Sequence, residues 1–147
     1  MASSNPVKQG ANSPAGAGRL RIWLVDDQDG IRNPLAKLLN LQPGVECVRH
    51  FSSAAAVLLA LQEQSPDVIL LDVEMPKMSG VEAILPIKKL SPSTTVLMLT
   101  TFFDNGIKEQ SLANGAADFL LKHYPLGEIV AAVRAAKKPR VSESRPS

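Results

Sequence analysis

Five polar residues directly follow short apolar runs of the sequence, and their types suit the binding of a cation together with an anion. They are three carboxylates, a hydroxyl and an ammonium group, namely Asp26, Asp27, Asp72, Thr100 and Lys122. Three carboxylates brought together repel each other, and proteins tolerate such clusters mainly when a hard cation neutralises them. Mg²⁺ is the natural candidate, because it binds one or two carboxylates, keeps several waters and bridges to phosphoryl oxygens.

A hydroxyl and an ammonium group beside a metal site predict a pocket for a tetrahedral anion. A phosphoryl group needs hydrogen-bond donors and positive charge on its oxygens, which Thr100 and Lys122 would supply. The chemistry indicated is phosphoryl transfer to a carboxylate. Asp72 is the preferred nucleophile because it stands alone after its apolar run, whereas Asp26 and Asp27 are adjacent and suit metal binding.

Each of these residues has an ordinary structural explanation when it is taken alone. An aspartate pair after a strand often caps a helix, and a single lysine is usually a solvated surface charge. The joint occurrence of the acids with Thr100 and Lys122, each at the end of an apolar run, favours one common site.

The residues between positions 19 and 138 alternate between short apolar runs and segments with helical periodicity. This alternation predicts an α/β fold, in which a doubly wound parallel sheet of five strands is covered by five helices. The predicted strands are Leu20–Val25, Val45–Phe51, Asp67–Leu71, Thr95–Leu99 and Ala117–Leu121. Ligands of such sheets collect at the carboxyl ends of the strands, so the five polar residues are expected on one rim.

The helices are predicted from apolar residues that recur every three or four positions. Three helices have apolar faces within residues 31–39, 54–61 and 126–133, and the other two span Gly80–Leu90 and Asp104–Asn114. Their boundaries are supported by residues that commonly start or stop helices.

Ser53 and Asp104 are possible N-caps, Gly115 follows the fourth helix, and Pro125 opens the fifth. Pro86 fits poorly inside the third helix, because proline lacks the backbone N–H and clashes with the preceding turn. The third helix is therefore expected either to kink at Pro86 or to have a shorter regular part.

Four segments of the chain resemble the signature segments of bacterial two-component response-regulator receiver domains. They are Val25-Asp26-Asp27, Leu71-Asp72-Val73-Glu74-Met75-Pro76 with Ser79-Gly80, Leu99-Thr100-Thr101, and Leu120-Leu121-Lys122. The resemblance runs from about Leu20 to Ala136, and the runs Leu-Thr-Thr-Phe and Leu-Leu-Lys are most similar to receivers of LuxR-type regulators. It implies the flavodoxin-like fold of receivers and a protein that takes a phosphoryl group onto an aspartate.

The resemblance implies a role for each matching acidic residue. Asp72 would be the phosphoacceptor. Asp27, Asp72 and the backbone carbonyl of Glu74 would bind Mg²⁺ directly, and Asp26 would act through water.

The resemblance also implies a switch that responds to the phosphoryl group. Thr100 would be the hydroxyl that moves toward the phosphoryl group, and Lys122 would be its charge partner. Phe119 would be the aromatic residue whose rotamer changes, although an aromatic side chain in a strand is usually part of the core. The changed surface would involve the fourth and fifth helices and the strand that carries Phe119.

A receiver is a phosphorylation-controlled binding module that catalyses only its own phosphorylation and dephosphorylation, so this chain is not expected to be an enzyme for other substrates. The resemblance implies a histidine kinase, a phosphotransfer protein or a small acyl phosphate as the donor. Two alternatives stay open. One is a Mg²⁺-dependent aspartyl-phosphate phosphatase of the haloacid dehalogenase type, which would need an aspartate where Glu74 stands. The other is a degenerate receiver that acts as a constitutive interaction module.

Two features depart from the pattern of the family. Lys122 is followed by His123-Tyr124-Pro125, where many relatives have an acidic residue or proline directly after the lysine, so the loop conformation is open. A LuxR-type regulator would continue into a helix-turn-helix domain, for which 147 residues leave no room. A stand-alone receiver or a piece of a longer regulator is therefore expected.

Composition and charge limit the other functions. Sixteen basic and fourteen acidic residues give a net charge of +2, and the basic surplus lies near the two ends, so no nucleic-acid-binding face is expected. The single cysteine, Cys47, cannot form an internal disulfide, and no apolar run suits a signal peptide or a membrane span. A cytoplasmic protein is expected, with a receiver domain at 19–138 between disordered segments at 1–18 and 139–147.

Overall fold

The computed structural model describes residues 18–137. The segments 1–18 and 139–147, predicted to be disordered, lie outside the described residues apart from Gly18. Within residues 18–137, no helix combines the length and the apolar character needed to cross a bilayer.

Five strands and five helices alternate along the described chain. The strands are β1 (Leu20–Val25), β2 (Val45–Phe51), β3 (Val68–Asp72), β4 (Thr95–Thr100) and β5 (Asp118–Leu121). The helices are α1 (Asp29–Leu39), α2 (Ala54–Ala60), α3 (Gly80–Leu90), α4 (Asn105–Asn114) and α5 (Leu126–Ala136). All neighbouring strands are parallel, in the order β2-β1-β3-β4-β5. The predicted doubly wound α/β fold is confirmed.

The strand ends decide where the polar residues lie. The bounds of β1 and β2 are as predicted, but β3 begins and ends one residue later than predicted. Asp67 directly precedes β3, and its carboxylate accepts a hydrogen bond from the backbone N–H of Arg21 at 2.8 Å. Asp72 is the last residue of β3 and pairs with Leu99 of β4, and Thr100 is the last residue of β4. The backbones of both site residues are therefore fixed by the sheet.

The hydrophobic core lies on both faces of the sheet, and this explains why the central strand is apolar throughout. One face packs under α2, α3 and α4, with the buried residues Trp23, Phe51, Leu71, Ile84 and Met98 among its members. The other packs under α1 and α5, with Leu24, Leu39, Cys47, Leu70 and Val133. Trp23 and Cys47 pack on opposite faces of the sheet and are 1% and 8% exposed.

The predicted helix-capping residues occupy the expected positions. Side-chain oxygens of Ser53 and Asp104 accept backbone N–H bonds in the first turns of α2 and α4, at 3.1 and 2.9 Å. Gly115 ends α4 in the left-handed conformation, with φ 120°. Pro125 is the N-cap residue of α5.

Helix α3 keeps its full predicted length with Pro86 inside it, so the alternative of a shorter regular part is wrong. A capping box stabilises its start, because the Ser79 hydroxyl accepts from the Glu82 N–H and the Glu82 carboxylate accepts from the Ser79 N–H. Ile84 and Ile87 are fully buried against the sheet. The tertiary packing of this face offsets the free energy that is lost because Pro86 cannot donate a backbone hydrogen bond.

Gly80, the first residue of α3, lies against the backbone of Asp72. A Cβ atom added at Gly80 would lie 2.0 Å from the carbonyl oxygen of Asp72, closer than any real contact. The Gly80 N–H also donates to the Val73 carbonyl oxygen at 2.9 Å. This contact sets the start of α3 relative to the carboxyl end of β3.

We expect Gly80→Ala to lower the free energy of unfolding by about 2 kcal/mol or more, because the added methyl group must displace backbone in a packed region. Gly127→Ala is the matched control, since Gly127 lies in α5 and a Cβ there meets nothing within 4 Å. This control should be stabilising by roughly 0.5–1 kcal/mol, because alanine is the better helix former. Urea unfolding of both variants checks the expectation, and equal effects would contradict the proposed close contact.

Candidate functional site

Asp26, Asp27 and Asp72 form one acidic cluster at the carboxyl ends of β1 and β3. One carboxylate oxygen from each residue lies within 4.8 Å of the others. Asp26 and Asp72 are buried, and Asp27 is half-buried. The cluster forms because β1 and β3 are neighbours in the parallel sheet, which brings their carboxyl ends to the same edge.

Lys122 directs its ammonium group into this cluster. Its Nζ lies 2.7 Å from Asp26 Oδ2 and 3.2 Å from Asp72 Oδ1. The residue follows β5, and its backbone N–H donates to the Thr100 carbonyl oxygen at 2.8 Å. With three carboxylates and one ammonium, ionisation of all groups leaves two negative charges in excess.

Burial and the neighbouring charges both shift the pKa values of the site. Burial raises the pKa of Asp72 to about 6, the Lys122 ammonium opposes the rise, and the Asp26 carboxylate adds to it. Burial by itself would lower the pKa of Lys122, but its contacts with Asp26 and Asp72 together raise that pKa. Lys122 therefore stays charged at neutral pH, and Asp72 binds a proton more readily than an ordinary aspartate.

The hydrogen bonds of the cluster leave one buried oxygen poorly supplied with donors. Asp26 Oδ1 accepts from the Gln28 N–H at 2.9 Å, and Asp72 Oδ1 accepts from the Glu74 N–H at 3.3 Å. Asp26 Oδ2 is buried, and among the described residues the Lys122 ammonium is its only partner. An all-oxygen ligand set, two excess negative charges and this oxygen fit a hydrated Mg²⁺ ion.

Thr100 and Phe119 lie on the neighbouring strands β4 and β5. The Thr100 side chain is buried, and its hydroxyl donates to the Phe102 carbonyl oxygen at 3.2 Å. Phe119 is 7% exposed, and its ring packs edge-on against the ring of Phe103 with the centroids 6.1 Å apart. Both residues thus engage the loop between β4 and α4, and Phe119 also belongs to the core.

The segment after Lys122 forms a compact turn. The Tyr124 N–H donates to the Leu121 carbonyl oxygen at 3.1 Å, and the rings of His123 and Tyr124 pack edge-on at 6.0 Å. His123 is exposed. The unusual residues after the lysine leave Lys122 in contact with the acidic cluster.

Sequence reasoning missed Arg32, a buried arginine of α1 that supports the acidic cluster. Its Nη1 donates to the backbone carbonyl oxygen of Asp26 at 2.8 Å, and its Nη2 forms an ion pair with Asp29 at 2.7 Å. Its Nε donates to Nδ1 of the exposed His50 at 3.0 Å. The spacing of Asp29 and Arg32 indicated only an ordinary helix-surface pair. Only the folded structure shows that the Arg32 guanidinium is buried and that His50 on β2 is its third partner.

Comparison with known proteins places the described region within one family. Residues 22–134 match the family model of the response regulator receiver domain. The transcriptional regulatory protein LnrK of Bacillus subtilis (strain 168) is 37% identical over 114 residues, which are 78% of this chain and 52% of LnrK. The chain thus spans about half the length of this relative.

Solved structures show the same relationship. The receiver domain of the putative response regulator NarL from Mycobacterium tuberculosis is 34% identical, with 83% of this chain and 98% of that domain covered and a TM-score of 0.77. A LuxR-family DNA-binding response regulator from Staphylococcus aureus is 25% identical, with 81% and 99% covered and a TM-score of 0.75. The predicted resemblance to receivers of LuxR-type regulators is confirmed.

The raised pKa of Asp72 makes stability depend on pH in a defined direction. The folded domain binds a proton at Asp72 with a pKa of about 6, against an ordinary value of 3.8, so this group's contribution to stability falls as pH rises through 6. With a metal chelator present at pH 7.5, Asp72→Asn should therefore raise the free energy of unfolding by about 2 kcal/mol.

The gain should shrink when the same unfolding measurement is repeated at pH 5, because the wild-type carboxyl group is then largely protonated. Glu63→Gln, which removes an exposed acid, is the matched control and should change little at either pH. A destabilised Asp72→Asn variant at pH 7.5 would show that the ionised Asp72 carboxylate does not destabilise the folded domain.

Proposed function

This chain belongs to the response regulator receiver domain family, and we propose that it accepts a phosphoryl group on Asp72 with the help of Mg²⁺. The observation that carries the proposal is the grouping of three carboxylate oxygens within 4.8 Å, with the Lys122 ammonium in contact with two of the acids. A site of this charge at the edge of a parallel sheet suits a divalent cation and a phosphoryl group together.

Mg²⁺ would be bound directly by Asp27, Asp72 and the backbone carbonyl of Glu74, with Asp26 acting through water. When bound, the ion supplies positive charge to the phosphoryl oxygens. The half-buried Asp27 is the most accessible acid of the cluster, which suits a direct ligand for an ion arriving from solvent.

The reaction is a transfer of one phosphoryl group to a carboxylate. A carboxylate oxygen of Asp72 attacks phosphorus and forms an acyl phosphate, while the bond from phosphorus to the donor's leaving atom breaks and the donor keeps that electron pair. Asp72 must be ionised to attack, and Lys122, which opposes the rise of its pKa, favours that form. Hydrolysis of the acyl phosphate later returns Asp72 to a carboxylate.

The switch would depend on contacts that exist only when the phosphoryl group is present. Thr100 would give up its bond to the Phe102 carbonyl oxygen and donate its hydroxyl to the phosphoryl group, beside Lys122. The Phe103 and Phe119 rings, which pack on the same loop, would then rearrange. Such state-dependent contacts are what shifts a population between two conformations. The surface that changes would comprise α4, β5 and α5.

The donor would be a histidine kinase or a phosphotransfer protein, or a small acyl phosphate, and the chain would act in the cytoplasm. It would catalyse only its own phosphorylation and dephosphorylation and bind no nucleic acid itself. LnrK, of which this chain matches about half, is a transcriptional regulatory protein. The output of this chain would accordingly lie in a separate protein or domain.

The family relationship favours a receiver over the phosphatase alternative. Glu74 occupies the position where that mechanism needs an aspartate, and its side chain is exposed while its N–H donates to Asp72. A degenerate receiver would take up no phosphoryl group, so measuring phosphoryl uptake distinguishes that alternative from the proposal.

Incubation with Mg²⁺ and acetyl phosphate, followed by intact-mass measurement, tests the proposed function. Wild-type protein should gain the mass of one phosphoryl group, and Asp72→Asn or an excess of chelator should abolish the gain. Asp67→Asn is the matched control, since Asp67 lies at the opposite end of β3 and should not affect uptake. No uptake by the wild type would favour the constitutive interaction module, and uptake by Asp72→Asn would place the acceptor elsewhere.

We expect Thr100→Ala to separate capture of the phosphoryl group from the response to it. The variant should still be phosphorylated, because neither the acidic cluster nor Lys122 depends on the hydroxyl. With Mg²⁺ and beryllofluoride, a stand-in for the acyl phosphate, its backbone chemical-shift changes around Phe119 and α4 should be much smaller than those of the wild type. Thr101→Ala, which alters an exposed hydroxyl one residue later, is the control. If the chemical-shift changes of Thr100→Ala were as large as those of the wild type, Thr100 would not be the switch residue.

A further inference from the structure

An open groove of about 980 Å³ lies between the N-terminal halves of α3 and α4. Its apolar lining includes Val73, Met75 and Pro76, which follow β3, and Val81 and Ile107, which belong to the two helices. Val81 and Ile107 are half-buried, so their side chains remain available to a further apolar surface.

Helix α4 buries few of its residues in the domain. Ser111 is its single fully buried residue, and the Ser111 hydroxyl donates to the Ile107 carbonyl oxygen of the same helix. The Asn114 amide joins α4 to α3 by donating to the Val81 carbonyl oxygen at 3.2 Å. The apolar side chain that α4 presents to the groove is that of the half-buried Ile107.

The groove is acidic at its rim. Glu74, Glu82 and Asp104 line it and are exposed, and no lysine or arginine is among its lining residues. The carboxylates of Glu82 and Asp104 are fixed in place, because each accepts a backbone N–H bond at a helix start. The Lys108 ammonium, on the same helix, lies over the Phe103 ring outside the groove.

We propose that this groove docks an amphipathic helix of a partner protein that presents apolar side chains flanked by lysine or arginine. A helix laid between two helices buries its apolar face in the groove, here against Val81 and Ile107. Its cationic flanks would meet the carboxylates of Glu82 and Asp104, so that charge complementarity determines which helices bind.

The two walls of the groove follow the strands that end at Asp72 and Thr100. The loop from Val73 to Ser79 directly follows Asp72, and Asp104 lies four residues after Thr100, whose hydroxyl holds the Phe102 carbonyl. If Asp72 is phosphorylated as proposed above, release of that hydrogen bond alters the loop that positions Asp104. Docking and the phosphoryl state are then linked, and by reciprocity each changes the affinity for the other by the same factor.

The docking test uses an 18-residue helical peptide with leucine on one face and lysine on the other, and a counterpart with glutamate in place of lysine. In NMR titrations of the full chain, the lysine peptide should shift the methyl signals of Met75, Val81 and Ile107. The signals of Leu59, an exposed leucine of α2, should not move. Absence of binding, a response centred on Leu59, or equal binding of the glutamate peptide would overturn the proposal.

The double variant Glu82→Gln/Asp104→Asn neutralises the rim while its amide oxygens can still accept the capping bonds. It should bind the lysine peptide about fivefold more weakly at low salt, since exposed charge pairs contribute modestly and are screened by ions. Glu63→Gln/Glu109→Gln removes two exposed acids outside the groove and should bind as the wild type does. Equal weakening in both double variants would show that only the net charge of the chain matters.

The linkage rests on the proposed function and is tested separately. The affinity for the lysine peptide is measured with Mg²⁺ alone and with Mg²⁺ and beryllofluoride, and a change of at least threefold is expected. An unchanged affinity, in a protein that the intact-mass measurement shows to be phosphorylated, would overturn the linkage alone. Failure of phosphoryl uptake would overturn the proposed function. The docking proposal would then still be decided by the affinity of the lysine peptide for the unphosphorylated protein.

Discussion

Three carboxylates share a largely buried site with one ammonium group, and much of the structure around the site serves to keep them there. Like charges at this separation repel strongly once water is excluded, and Lys122 neutralises only one of the three. Burial is the main cause of the raised pKa of Asp72, and the Asp26 carboxylate adds to the rise against the opposing charge of Lys122. A cluster with this charge suits a divalent cation, and the proposed phosphoryl group would depend on that cation and on Lys122 to offset its own negative charge.

The repulsion requires a rigid frame, and that frame comes from backbone contacts more than from the acids themselves. Asp72 ends a strand that is buried on both faces, and the close approach of Gly80 fixes the helix that follows. Arg32 holds the Asp26 carbonyl from α1, while Lys122 contacts the Asp26 carboxylate from the end of β5. The acidic cluster is thus supported from both faces of the sheet. The loops that leave Asp72 and Thr100 carry any change outward to the walls of the groove between α3 and α4.

The sequence was sufficient to predict the fold and to bring the acids together, because both depend on strongly patterned features. The lengths of the apolar runs predicted the strands. Because parallel strands end at the same edge of a sheet, Asp26, Asp72 and Lys122 were expected on the same rim. The role of Arg32 could not be predicted, because its burial depends on a pairing with His50 that joins α1 to the edge strand β2. The length of α3 was also open, since only its tertiary packing shows that Pro86 is tolerated. The engagement of the Thr100 hydroxyl with the Phe102 carbonyl is likewise a property of a loop whose conformation no periodicity encodes.

The most direct test of this account is an NMR pH titration of the Asp72 side-chain carboxyl carbon, made in chelator and again in saturating Mg²⁺. In chelator the carboxyl group should titrate at about 6, because it is buried beside Asp26 with only Lys122 to compensate. Mg²⁺ should move that midpoint well below this value, because the ion favours the ionised carboxylate. An Asp72 midpoint near the ordinary value of about 4 in chelator, or one that Mg²⁺ does not move, would contradict the claim that unbalanced buried charge creates the site.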